Sequence, residues 1–262
     1  MKNVSSALWI NVFRLLLLAA LLLGWQFASG TVIPTFFVSK PTSIAAQLYA
    51  WIADGSLFFH TVITATEAFA GFFLGSALGI GVGLLLGRIQ LLAELLDPFI
   101  MAFYSLPKIA LAPLFILWIG IGMDMKIALT AVIVFFLVFL NTYTGVRNVS
   151  RELIAILGLM GASERHVLTK VVIPSAFTWV FAGLRISVPY ALIGAIVGEL
   201  IASNRGLGFL LTSSAGQFDT TGVFAALIAI VILAFILNTF VKVLEMKVMP
   251  WKTSDSTRDV TI

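Results

Sequence analysis

Residues 147–175 read RNVSRELIAILGLMGASERHVLTKVVIPS, and they sit between two apolar runs, 127–146 and 177–202. The stretch carries charges of both signs, so it does not continue either run through a bilayer. It is no plain linker, because helical spacing persists through it. Leu153, Leu157 and Met160 fall on one face before Gly161, and Val167, Leu168, Val171 and Val172 follow on a second short helix. The Ser163 hydroxyl is placed to accept a free backbone N–H at the start of that second helix. Pro174 is expected to break the chain before the next apolar run. The order is helix, glycine bend, helix, proline: a rigid knob held against the face of a membrane.

Working outward, the chain reads as one membrane domain over residues 1–262. Of its 262 residues, 60% are hydrophobic and 11% charged, with mean hydropathy +1.09. A soluble domain carries about 25% charged residues, so this chain has too little polar surface to cover a globule in water. A spanning helix needs about 20 mostly apolar residues. Six candidates meet that length, near 9–28, 61–87, 98–121, 127–146, 177–202 and 222–243. The N-terminal run resembles a signal sequence, but its charge-free stretch from Leu15 to Ser39 exceeds an h-region of about 7–15 residues. It is expected to stay as the first span. The fold class is therefore all-α transmembrane.

With six spans and the N-terminus inside, the inner segments hold Lys2, Arg14, Arg88, Arg147, Arg151, Arg165, Lys170, Lys242, Lys247, Lys252 and Arg258. The outer segments hold Lys40, Lys126 and Arg205. This asymmetry places both termini on the cytoplasmic side of the membrane. It also accounts for the net charge of +4 without nucleic acid, because the basic residues form no basic face. In the outer loop, Pro41, Thr42 and Ser43 can start a short helix with Ile44, Leu48 and Ile52 on its apolar face.

Several residues inside the spans bear on mechanism. Gly71, Gly75, Gly79, Gly83 and Gly87 are spaced four apart, a stripe that lets a neighbouring backbone come close. The third span carries Tyr104, Ser105, Pro107, Lys108 and Pro113. Its prolines leave carbonyls without helical partners, and Lys108 is either interfacial or lines a polar cavity. Arg185 and Glu199 are fourteen residues apart on the fifth span, roughly 21 Å, and so do not pair with each other. Arg185 is expected to contact the inner loop. Glu199 is expected to brace the outer loop 203–208 or to form part of a gate there. Asn141 and Asn238 are expected to hydrogen-bond between helices. Tyr104, Ser105, Lys108, Asn141 and Glu199 are the pathway candidates.

No catalytic constellation stands out. The chain has no cysteine, which excludes disulfides and thiolate metal sites. His60 and His166 lack ligand spacing, so no metal site is expected. No GxxxxGK[ST] phosphate loop occurs, so the chain is not expected to hydrolyse ATP itself.

The run from Gly161-Ala162-Ser163 to Val171-Val172-Ile173-Pro174 resembles the EAA loop of ABC importer permeases, whose pattern is EAA, three residues, Gly, nine residues, then I-x-L-P. The glycine-to-proline spacing matches. The EAA places are held by Ala155, Ile156 and Leu157, and Glu152 lies one turn earlier. Leu106-Pro107-Lys108-Ile109-Ala110-Leu111-Ala112-Pro113-Leu114, Trp118-Ile119-Gly120-Ile121-Gly122, Asn141-Thr142-Tyr143, Gly145-Val146-Arg147, Gly183-Leu184-Arg185-Ile186, Glu199-Leu200-Ile201-Ala202 and Gly206-Leu207-Gly208 resemble the nitrate/sulfonate/taurine branch of those permeases.

The resemblance implies a six-helix type I importer fold with a cytoplasmic coupling helix. It implies two copies of the permease, two cytoplasmic ATPase subunits that supply ATP and Mg chemistry, and a periplasmic or lipid-anchored solute-binding protein. The ATPases would dock on Gly161, Ala162, Ser163, Glu164, Arg165 and His166, with Pro174 closing the segment. The implied solute is a small anion such as nitrate, a sulfonate, taurine, bicarbonate or an aromatic carboxylate. The rival reading is a secondary transporter or channel working alone.

Overall fold

The computed structural model describes residues 4–248. Lys2, Lys252 and Arg258 of the charge count lie outside the described residues. Among those described, every regular element is a helix, and one isolated bridge joins Ser29 and Ile33. Five helices are long and apolar enough to cross a membrane, or six when a bent pair counts as one span. The chain forms two compact units, residues 1–63 with 204–231 and residues 64–203 with 232–262.

In the first unit, α1 (Val4–Ala28) is exposed from Phe13 to Gly24, as an apolar helix facing lipid would be. Helix α2 (Pro41–Ala53) starts at the expected proline, which suits a first turn because its missing N–H has no helical partner there. Ile44 is buried, but Ile52 is 62% exposed, so the expected inward face ends before the last turn of α2. Gln26 and Thr42 exchange hydrogen bonds that fix α2 to the end of α1. The Ser56 hydroxyl and N–H hold the Asp54 carboxyl below the usual range at the start of α3 (Ser56–Arg88). His60 Nδ1 accepts the Gly206 N–H at 2.9 Å, anchoring the entry to α10 (Leu207–Gly216). Trp25 packs on Phe224 in the first turns of α11 (Thr220–Val248).

The second unit is built around α6 (Met123–Arg147), which lies between α3 and α9 (Ile173–Ile201). The glycine stripe explains the approach on one side. A Cβ on Gly75 would stand 2.9 Å from Val134 Cβ, one on Gly79 2.9 Å from the Phe135 carbonyl oxygen, and one on Gly83 2.7 Å from Thr142 Cβ. On the other side, Gly183 and Gly194 of α9 admit Asn141 and Thr130 of α6 with the same closeness. Val134, Val138 and Ala191 form the dry centre, with Phe72, Ile80 and Leu184 around it. Phe69 meets Phe240 of α11 edge-on.

The third apolar run is not a straight span. Helix α4 (Gln90–Ser105) meets a 3-10 turn (Lys108–Leu111) and α5 (Ala112–Ile119) at a bend of 85°. Leu106, before Pro107, is forced extended at ψ 134°, because the proline ring clashes with a helical predecessor.

Candidate functional site

Helix α7 (Arg151–Leu159) opens on Ser150, whose hydroxyl accepts the Leu153 N–H at 3.3 Å and donates to Glu152 Oε2 at 2.6 Å. Glu152 thus serves the first turn of its own helix. The far end closes on Gly161 at φ +75°. The Ala162 N–H reaches the Leu157 carbonyl at 2.9 Å, and the Gly161 N–H reaches Gly158 at 3.0 Å. This paired pattern satisfies the last carbonyls of a helix and requires a left-handed residue at its centre. Ser163 then caps α8 (Glu164–Val167), accepting from the His166 N–H and bonding His166 Nδ1 at 2.8 Å.

Pro174 does not break the chain. A π-helical turn, Leu168–Val172, joins α8 directly to α9, and Pro174 falls in the first turn of α9. The wider turn and the N-terminal position together accommodate a residue with no N–H to give. A force applied at Glu164, Arg165 or His166 therefore reaches a spanning helix through continuous helical backbone.

The segment is tied to the membrane core at its base and apolar at its tip. Val146, Val149, Val172 and Ala176 are buried together, with Leu84, Val167, Leu168 and Val171 against them. Arg88 at the end of α3 holds Glu164 at 3.0 Å. At the tip, Leu159 is 90% exposed and Met160 77%. A cleft lies beneath, lined by Arg88, Ile154, Gly158, Ala162 and Glu164 among others.

The pathway candidates do not converge. Tyr104, Ser105 and Lys108 sit together at the bend after α4, where the Lys108 ammonium bonds the Tyr104 carbonyl and lies 4.5 Å from the Tyr104 ring and 5.0 Å from that of Phe136. Ser105 is bonded back to Met101. Asn141 donates to Leu137 one turn back and packs on Gly183, and Asn238 donates to Ala234. The expected hydrogen bonds between helices are in fact bonds within one helix. Arg185 is exposed and makes no ion pair or hydrogen bond among the described residues, so the expected contact with the inner loop is absent.

Glu199 belongs to a different centre, which the sequence reading missed. Lys126 Nζ lies 2.7 Å from Glu67 Oε1 and 2.8 Å from Ser203 Oγ, while Thr64 Oγ1 donates to Glu199 Oε1 at 2.7 Å. Glu67 and Glu199 are 0% and 1% exposed, and Lys126 is 4%. The sequence places Lys126 in an outer segment; in the structure α6 begins before it, at Met123, and the side chain is buried within the protein. The signal was present: Glu67 is a carboxylate within an apolar span, which demands a buried partner. Asn141 is fifteen residues along α6 from Lys126, about 22 Å, so these two polar groups serve separate sites. Among the described residues no cluster of His, Cys, Asp or Glu has the makings of a metal site.

A membrane core of glycine-packed helices, a bent span and a protruding capped segment define the class: a type I importer permease fold. The same fold occurs in the membrane subunit of the MetNI methionine ABC transporter in inward-facing conformations (TM-score 0.63, 20% identity, 76% of this chain and 96% of that one). Residues 71–250 match the family described as binding-protein-dependent transport system inner membrane component, and this chain belongs to that family. It is 33% identical to a permease provisionally named for aliphatic sulfonates transport in Bacillus subtilis (strain 168), over 92% of this chain and 87% of that one. It is 32% identical to the taurine transport system permease protein of Escherichia coli (strain K12), over 87% and 84%. It is also 33% identical to the formylaminopyrimidine transport permease protein of Halalkalibacterium halodurans, over 96% and 99%. The chain is a multi-pass membrane subunit of an ABC importer for a small solute.

Proposed function

We propose that two copies of this chain form the pore of an importer driven by two cytoplasmic ATPase subunits, with residues 151–175 as the coupling segment. The observation that carries this is mechanical. Each of its two short helices opens on a serine cap, Ser150 and Ser163, its tip is apolar and exposed, and α8 runs unbroken into α9. Such a tip suits a groove in a partner, and its bracing suits transmission of a push.

On this reading ATP and Mg are bound by the ATPase partners, and a binding protein delivers solute from outside. Both chain termini lie in the cytoplasm. ATP binding draws the two coupling segments together and opens the pore outward through α6 and α9; hydrolysis resets it inward. These are two states biased by ligands, as alternating access requires. The solute is a small anion of the sulfonate, taurine, nitrate, bicarbonate or aromatic carboxylate kind. Similarity to sulfonate and taurine permeases supports this choice, while a formylaminopyrimidine relative stands at equal identity.

The second reading is a carrier working alone, because a broken span such as the 85° bend here also occurs in secondary transporters. Uptake into proteoliposomes separates the two. The importer reading expects accumulation only with internal or external ATP on the ATPase side and with the binding protein added. Accumulation driven by an ion gradient, without either, contradicts it.

A further inference from the structure

One face of α9 is left uncovered by the other described residues, and it carries a charge that none of them answers. Residues 178, 185, 186, 189, 190 and 193 are exposed along it, and its polar members within the span are Thr178, Arg185 and Tyr190. Arg185 stands twelve residues after Ile173 and sixteen before Ile201, about 18 and 24 Å along the helix. The helix rises about 42 Å across a hydrocarbon layer of about 30 Å, so Arg185 lies at least about 6 Å inside either face of that layer. The rotation of α9 is fixed, because Gly183, Gly194 and Gly198 seat it on Asn141, Thr130 and Lys126 of α6. Arg185 cannot turn inward. An arginine at this depth is costly against lipid and marks a polar route by default.

A second feature falls at the same level. Pro189 lies inside α9 and has no N–H to offer the Arg185 carbonyl, four residues back. The helix therefore presents an unanswered donor and a freed acceptor at one residue, on a face that the other described residues leave uncovered. A water-filled path satisfies both; a lipid tail satisfies neither.

We propose that Arg185 lines the translocation pathway and binds the oxyanion of the passing solute. The planar guanidinium gives two parallel hydrogen bonds to a sulfonate or carboxylate. A single such contact per subunit attracts the anion without trapping it, as conduction demands. A lipid phosphate at the bilayer surface has the same chemistry, and the test distinguishes the two sources. The proposal rests on the importer reading for its solute, and the test separates the two.

Because the chain has no cysteine, Arg185→Cys introduces its sole thiol. In proteoliposomes holding the whole complex with its ATPase subunits and binding protein, a membrane-impermeant maleimide should label Arg185→Cys. It should leave Leu18→Cys, on the uncovered α1, unlabelled. With taurine and butanesulfonate as probes, Arg185→Gln should raise the KM for uptake by about tenfold or more, the worth of a charge-assisted hydrogen bond. Arg185→Lys should recover part of the loss, while both variants still elute as intact complexes. The proposal is overturned if Arg185→Cys behaves like Leu18→Cys, if Arg185→Gln leaves the KM for both anions unchanged, or if the unsubstituted complex carries neutral formylaminopyrimidine but neither anion. An equal loss for anionic and neutral solutes would assign Arg185 to a lipid phosphate and also contradict it. If no solute is taken up with ATP, the importer reading fails and the labelling alone decides whether Arg185 faces water.

Discussion

At Gly79, hydrogen is the largest side chain that the contact with α6 admits, because the Phe135 carbonyl oxygen and the Phe139 nitrogen would lie 2.9 and 3.0 Å from a Cβ. Backbone atoms cannot move aside as a side chain can. Gly79→Leu is therefore expected to lower the melting temperature of the detergent-purified protein, with a cost of at least about 1–3 kcal/mol from overpacking. An unchanged melting temperature would mean that α3 does not meet α6 there. The pair Glu67–Lys126 makes a different prediction. Removing one partner leaves an uncompensated buried charge, so Lys126→Met alone should cost about 3–5 kcal/mol. Glu67→Gln with Lys126→Met should cost less than Lys126→Met alone, as a thermal double-mutant comparison would show. The glycine stripe was legible in the sequence because spacing by four names a helix face. The charge centre was not, because Glu67, Lys126 and Glu199 are brought together by the crossing of three helices, and no spacing along the chain encodes that.

Between the ends of α6 and α9, local chemistry was almost fully legible. Ser163 as a cap and Gly161 as a bend both follow from what serine hydroxyls and glycine φ values allow. Pro174 misled for a physical reason: a proline stops a helix in its interior but starts one readily, and the choice depends on the π turn before it. At Gly161 nothing crowds a side chain, yet φ is +75°. Gly161→Leu should then insert normally and disturb the segment through backbone strain, at about 1–2 kcal/mol. Coupling should suffer more than stability: uptake falls while the protein level in the membrane stays the same. Equal uptake by the variant would remove this segment from the coupling role. The Arg88–Glu164 pair is too exposed to matter much, since such pairs contribute about 0.2–1 kcal/mol. Glu164→Ala should leave the melting temperature nearly unchanged.

For the chain as a whole, hydropathy alone located the apolar runs, and the structure altered their ends and the shape of the third. α3 begins at Ser56 and α6 at Met123, both before the expected starts, because an apolar threshold ends a span where a helix continues through polar residues. The pathway was least legible. Arg185 looked like a contact for the inner loop only while the facing side of α9 was unknown. Solute identity depends on surfaces that a single chain does not enclose.

The most direct test is to purify the tagged chain from its native membrane and assay what comes with it. An ATPase bearing a phosphate loop should elute in equal amount, and the Gly161→Leu variant should lower its ATP turnover in the complex. A chain that elutes without an ATPase, and that still transports in liposomes without ATP, would contradict the importer mechanism and make a carrier working alone the better account.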